Sequence, residues 1–166
     1  MSKAPEILAG GESEAFKLES YVFFWIGQID NLYTRRLTRA LRRFEVNLTC
    51  WRSLALLHRR GALTVSELAA LSAIERSALG RTIETMEQRG LIAKRGRDDD
   101  RRMQDVEITP AGRALYAEVL VVVRDVLTRV TWNVSAAELD QCVATLQKIR
   151  RNMSDGDTIN FDTNLN

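Results

Sequence analysis

The chain has 166 residues, 45% of them apolar and 28% charged, with a net charge of +2. That is one domain, or an intimate pair of subdomains, with enough chain to bury a core. No run of about 18 uncharged apolar residues occurs, which excludes a membrane-spanning helix, and the first residues, MSKAPEILAGGESE, lack the basic and apolar regions of a secretory signal.

Cys50 and Cys142 are far apart and form no metal or redox spacing. These features predict a cytoplasmic, reduced protein with no membrane contact, no metal and no cofactor. Charge is uneven: +1 over residues 1–49, +3 over 50–113 and −2 over 114–166. The middle of the chain is the basic part, a mild signal for a nucleic-acid partner.

Residues 16–44 read as one long helix, because Leu18, Val22, Trp25, Ile29, Leu32, Leu37, Leu41 and Phe44 recur at helical spacing. The stretch VNLT breaks that pattern and offers Thr49 as the N-cap of a second helix, Cys50 to Arg60, stopped by Gly61. TVSE at 64–67 has the form of a capping box, in which Thr64 and Glu67 satisfy each other's backbone N–H groups. It opens a helix of about eight residues. A turn at Ala73-Ile74 leads to a fourth helix, about Glu75 to Arg89, closed by Gly90. Leu79, Ile83 and Met86 are its buried stripe.

The period then changes. LIAKR and QDVEI read as short strands, the second with Val106 and Ile108 alternating against Asp105 and Glu107. Gly96 to Arg102 lies between them as a hairpin tip. Thr109-Pro110 supplies an N-cap and a proline at the first helical position, so a fifth helix runs to about Thr131. VLVVV at 119–123 has strand propensity but helical flanks, and a helix apolar nearly all round is buried on several sides. SAAE at 135–138 is a second capping box and opens a sixth helix to about Met153. The expected fold is mainly α: a winged helix-turn-helix of six helices and a two-stranded wing, whose second short helix enters the major groove.

Four stretches, NLTCWRSLALL, LTVSELAALSAIERSALGRTIETMEQRGLI, DRR and EITPAG, stand in an order and spacing that resemble the multiple antibiotic resistance regulator (MarR) family. The resemblance spans about residues 16–152. It implies a homodimer on pseudo-palindromic double-stranded DNA and, in many members, a small-molecule pocket between the dimer helices and the winged domain. The implied division is an arm at 1–15, a dimerisation helix at 16–49, the DNA-binding domain at 50–113, dimerisation helices at 114–153 and a polar tail at 154–166.

The family's Asp-x-Arg pattern falls on Asp100 and Arg102. A carboxylate two residues back can hold a guanidinium by a charge-assisted bond and so present Arg102 to a narrow minor groove. Arg101 would meet phosphate. Asp98 and Asp99 have no role in this reading. On the recognition helix, Ser77, Gly80 and Arg81 occupy the face opposite the buried stripe, with Arg76 at the N-terminal turn. Arg76 and Arg81 suit phosphate contacts. A mid-helix glycine costs about 1 kcal/mol against alanine. Two explanations of Gly80 stay open: close approach to DNA, or tight packing on the third helix.

The first helix carries Tyr21, Phe23, Phe24, Trp25 and Tyr33, whose ordinary role is core and dimer packing. Trp51, Leu54 and His58 share a face of the second helix, which points the single histidine inward. The family pocket is built from these two helices and the fifth, so the resemblance implies a site lined by Phe24, Trp25, Tyr33, Arg36, Trp51, Leu54 and His58. A small aromatic acid, or its CoA thioester, fits such a lining. Arg35, Arg36 or His58 would pair with its carboxylate or phenol.

The expected function is a ligand-responsive repressor. One alternative is a cysteine-based redox sensor, since Cys50 sits in the first turn of a helix, where the dipole lowers a thiol pKa. Peroxide-sensing members of the family, however, keep their cysteine in the first helix. The other alternative is a winged domain used for protein interaction. An enzyme is not expected: one histidine, no paired carboxylates and no phosphate-binding glycine loop leave nothing to build an active site from.

Overall fold

The computed structural model describes residues 17–96 and 104–153. α1 (Val22–Leu41) is framed by 3-10 turns at Leu18–Ser20 and Arg42–Phe44, so the stretch read as one helix over 16–44 is a helix with two tighter ends. Glu45, in the left-handed region at φ 53°, stops it. α2 (Leu48–Arg60) is capped by Asn47, whose carboxamide oxygen accepts from the Cys50 N–H at 2.7 Å. It therefore starts two residues before the predicted boundary, with Thr49 inside the first turn.

β1 (Leu63–Thr64) precedes α3 (Val65–Ser72). The Thr64–Glu67 capping box forms as read: Thr64 Oγ1 accepts from the Glu67 N–H at 3.2 Å, and the Glu67 carboxylate accepts from the Thr64 N–H at 2.7 Å. α4 (Arg76–Gln88) follows and ends before Gly90, whose φ of 69° marks the left-handed position that favours glycine. β2 (Ile92–Gly96) and β3 (Gln104–Ile108) pair antiparallel, from Ile92 opposite Ile108 to Gly96 opposite Gln104. The sheet has three strands, in the order β1-β3-β2, where two were expected. A two-residue strand is too short to show alternation, so β1 carries no periodic signal of its own.

α5 (Pro110–Val130) is capped by Thr109, and α6 (Ala136–Met153) opens on the Ser135–Glu138 box. The core gathers residues from five helices and two strands: Leu37 and Leu41, Leu54 and Leu57, Leu68, Leu79 with Ile83 and Met86, Ile92, Val106 with Ile108, and Val119. Each such side chain contributes about 1.5–3 kcal/mol by leaving water. VLVVV is helical, as read, but it is not buried all round. Val119 and Val123 face the core while Val121 is 68% exposed. α6 buries no residue within the single chain. Ile29 and Leu32 of α1, Leu127 of α5, and Leu139, Val143 and Leu146 of α6 are exposed, a larger apolar surface than a monomer ordinarily leaves in water.

One joint fastens the end of α4 to the start of α5. The Thr109 N–H donates to the Leu91 carbonyl at 3.1 Å, and the Thr109 hydroxyl donates to the Gly90 carbonyl at 2.6 Å. The same hydroxyl oxygen accepts from the Gly112 N–H at 3.1 Å. A β-carbon on Gly112 would fall on the Leu91 carbonyl oxygen and lie 2.9 Å from Ile108 Cγ1. The glycine of EITPAG is thus a requirement of packing. Gly112→Ala should lower unfolding stability by about 1–3 kcal/mol in a urea titration. An unchanged midpoint would show that the joint is not tight.

Candidate nucleic-acid interface and ligand site

Burial of Leu79, Ile83 and Met86 turns the other face of α4 to solvent, leaving Arg76, Ser77 and Arg81 exposed and Gly80 half-buried. Glu75, read as the first helical residue, is the N-cap. Its carboxylate accepts from the Ser77 N–H at 3.0 Å, from the Ala78 N–H at 3.1 Å and from the Ser77 hydroxyl. These bonds, the Ser77 hydroxyl first, hold the Glu75 carboxyl below its ordinary range. Ser77 therefore spends its hydroxyl proton on the cap and retains acceptor capacity.

A β-carbon on Gly80 would meet nothing within 4 Å. This removes packing against α3 as the reason for the glycine and leaves an open, shallow spot in the exposed face.

Beside this face lies a cleft of about 200 Å³. Glu45, Asn47 and Cys50 form one wall, and Arg81, Thr82, Thr85, Met86 and Arg89 form the other. Arg89 bridges the walls: its guanidinium donates to the Glu45 carbonyl at 2.7 Å and to the Phe44 carbonyl at 3.3 Å. Cys50 is 4% exposed, and burial pushes its thiol up from 9.0 to about 11, offset only in part by Arg89. The expectation of a dipole-activated thiol is corrected here. Cys50 does lie in the first turn of α2, but desolvation of the thiolate outweighs the helix end.

On the wing, Lys94 pairs with Glu87 at 2.6 Å, tying β2 to α4, and Arg95 pairs with Glu107 at 3.3 Å across the strands. Asp98, Asp99, Asp100, Arg101 and Arg102 lie outside the described residues.

The predicted ligand residues fall into separate groups. Trp51 stacks on Tyr116 of α5 with ring centroids 5.5 Å apart and planes 7° apart. His58 stacks on the same ring at 4.2 Å. His58 is exposed, contrary to the inward orientation read from its spacing. Leu54 and Leu57 take the buried stripe of α2, which leaves His58 at its rim. Leu54 is wholly within the core.

Tyr33 packs half-buried against that core, with burial raising its phenol and Arg52 lowering it in part. Phe24 and Trp25 form a second cluster near the start of α1, 5.3 Å apart and nearly edge-on, where the Trp25 indole N–H donates to the Glu19 carbonyl at 2.9 Å. Arg36 is exposed. Tyr116 was missed, although its spacing was available: Gly112, Tyr116 and Val119 stand at i, i+4 and i+7 of α5 and face inward together. Among the described residues no group of three His, Cys, Asp or Glu side chains could hold a metal, and no helix is long and apolar enough to cross a membrane.

The MarR family model matches residues 46–103. The chain is 23% identical over 141 residues to the HTH-type transcriptional repressor IacR of Pseudomonas putida, covering 85% of this chain and 84% of that one. A MarR-family transcriptional regulator from Silicibacter pomeroyi superposes with a TM-score of 0.77 at 25% identity, over 86% of this chain and 96% of that one. CouR from Rhodococcus jostii RHA1, solved bound to p-coumaroyl-CoA, superposes with a TM-score of 0.73 at 18% identity, over 81% and 95%.

The raised Cys50 thiol has a consequence with a definite sign. The unfolded chain ionises this thiol above its ordinary value while the folded chain keeps it protonated to about pH 11, so the unfolded state gains as pH rises. Wild-type stability should fall between about pH 9 and 11 more steeply than that of Cys50→Ala. In the folded protein at pH 8, iodoacetamide should spare Cys50, and it should modify Cys50 once urea unfolds the chain. Labelling of Cys50 in the folded protein at the unfolded rate would contradict the burial argument.

Proposed function

Because the chain belongs to the MarR family of winged-helix transcriptional regulators, we propose that it is a ligand-responsive repressor. In this reading it binds pseudo-palindromic DNA as a homodimer and is released by a small aromatic acid or its CoA thioester. The observation that carries the proposal is the outward face of α4, where Arg76 and Arg81 flank an open glycine.

α4 enters the major groove. Arg76 and Arg81 meet phosphates, Ser77 accepts from a donor on DNA, and Gly80 lets the backbone come close. Asp100 holds Arg102 toward the minor groove while Arg101 meets phosphate. The division into dimerisation helices (16–49 and 114–153) around a DNA-binding domain (50–113) fits where exposed apolar surface lies on α1, α5 and α6. A second copy of the chain would cover it.

The effector site is proposed around Trp51, His58 and Tyr116, with Phe24, Trp25, Tyr33 and Arg36 of α1 as further contacts for a ligand and Leu54, wholly buried, supporting it from the core. The stacked rings supply flat apolar surface for an aromatic ligand. CouR's p-coumaroyl-CoA supports a ligand of this class. Release requires the ligand to prefer a spacing of the two recognition helices that cannot dock, since equal affinity for both states shifts nothing.

The test begins with duplexes selected from a random library. They should contain an inverted repeat with half-sites about 34–36 Å apart, and the complex should dissociate as p-coumaroyl-CoA or a panel of aromatic acids is added. His58→Ala should keep the affinity for the selected duplex and raise the ligand concentration for half-release roughly tenfold, equivalent to about 1.4 kcal/mol of ligand-binding free energy. Loss of folding and DNA binding together in His58→Ala would place this residue in the structural frame and overturn the pocket.

A further inference from the structure

Between Thr34 and Phe44 the chain carries Arg35, Arg36, Arg39, Arg42 and Arg43 with no acidic residue among them. All five are exposed, while Leu37 and Leu41 of the same stretch are buried. Arg35, Arg39 and Arg42 stand at i, i+4 and i+7 and so share the face away from the core. Among the described residues none of the five is in an ion pair. Arg43 instead lies over the Phe44 ring, 4.7 Å from its centroid.

A surface built for solubility intersperses both signs of charge. Elsewhere this chain does so, as in the pairs Lys94–Glu87 and Arg129–Asp125. An unbroken cationic ridge carries self-repulsion that a polyanion relieves.

The position of the ridge identifies the polyanion. Its lower end, Arg42–Phe44, runs into Glu45, and the carbonyls of Phe44 and Glu45 are the groups that Arg89 grips from the end of α4. The cleft bounded by Glu45 and Asn47 has Arg81 on its opposite wall. The lower end of the ridge therefore lies across this cleft from Arg81, and Arg89 fastens the corner that carries it to the end of α4.

We propose that Arg35, Arg39, Arg42 and Arg43 form a second phosphate-binding surface, which grips the DNA backbone beside the groove that α4 enters. The inference rests on the DNA-binding reading above. It adds an interaction made by the end of the first helix, outside the winged domain. This interaction neutralises phosphates without reading bases, so it strengthens binding to every sequence alike. Arginine keeps its charge at all working pH values, so binding through the ridge responds to salt and not to pH.

The experiment compares the full-length wild type with R39Q/R42Q/R43Q on a selected duplex and on a random duplex of equal length, across a range of salt concentrations. The plot of log affinity against log salt should become shallower by about 0.9 for each phosphate that the variant no longer neutralises. Affinity for the two duplexes should fall by the same factor, and R39K/R42K/R43K should restore the slope. A folded glutamine variant with the wild-type slope overturns the proposal. Should the triple variant unfold, R39Q alone decides by the same criterion, with a change of about 0.9 expected and none overturning it. A wild type that binds neither duplex refutes the DNA-binding reading itself, before any variant is compared. Loss of binding to phosphatidylserine-containing vesicles, with the DNA slope unchanged, would assign the ridge to a membrane surface and overturn the proposal.

Discussion

Burial of Leu79, Ile83 and Met86 against α2 and α3 is the constraint on which the rest of the structure depends. A helix has one face to bury, and committing these three residues to the core fixes which residues α4 shows to solvent. Removing one of them would cost on the order of 2–5 kcal/mol, far more than any surface charge on the same helix contributes. The outward set, Arg76, Ser77, Gly80 and Arg81, is thus a consequence of packing. Its chemistry, two cations flanking a glycine with open space above it, suits a surface that another molecule approaches closely.

The same helix is fastened mainly at one end. Its N-terminus is held by the Glu75 cap, a local arrangement within four residues. Its C-terminus is held by Arg89 to the corner after α1, by the Glu87–Lys94 pair to β2, and through Gly90 and Leu91 to Thr109 at the start of α5. α1 and α5 carry the exposed apolar faces, and α5 carries the Tyr116 ring on which Trp51 and His58 stack. These hydrogen bonds join the start of α5 and the α1 corner to the end of α4 in one contiguous set of contacts.

Much of this was legible in the sequence where local chemistry decides the outcome. The capping boxes at Thr64–Glu67 and Ser135–Glu138, the Thr109-Pro110 start and the Gly90 stop each involve residues within a few positions of one another, and each formed. The α4 stripe was legible because three large apolar residues share one face. Most of what was not legible depended on distant partners. β1 exists only because β3 passes alongside it. Asn47 displaced Thr49 as the cap of α2, a boundary that side-chain type alone does not settle. The Cys50 thiol reads as activated if only its helix is considered, yet the core around it raises its pKa. His58 shares a helical spacing with Trp51 and Leu54, but the rim of the buried stripe falls between Leu57 and His58. The residues expected around a ligand thus lie less closely together than the exposed residues of α4, because their arrangement depends on how α1, α2 and α5 meet.

The central claim is that α4 leaves Gly80 open so that another molecule can come close. Gly80→Ala tests it most directly, with two readings on one variant. No atom lies within 4 Å of the added carbon, and alanine is favoured over glycine inside a helix by about 1 kcal/mol. The variant should therefore unfold at higher urea than the wild type while binding a selected duplex more weakly. A variant that gains stability and keeps full affinity for DNA would contradict the account, because the open position would then serve no approaching backbone.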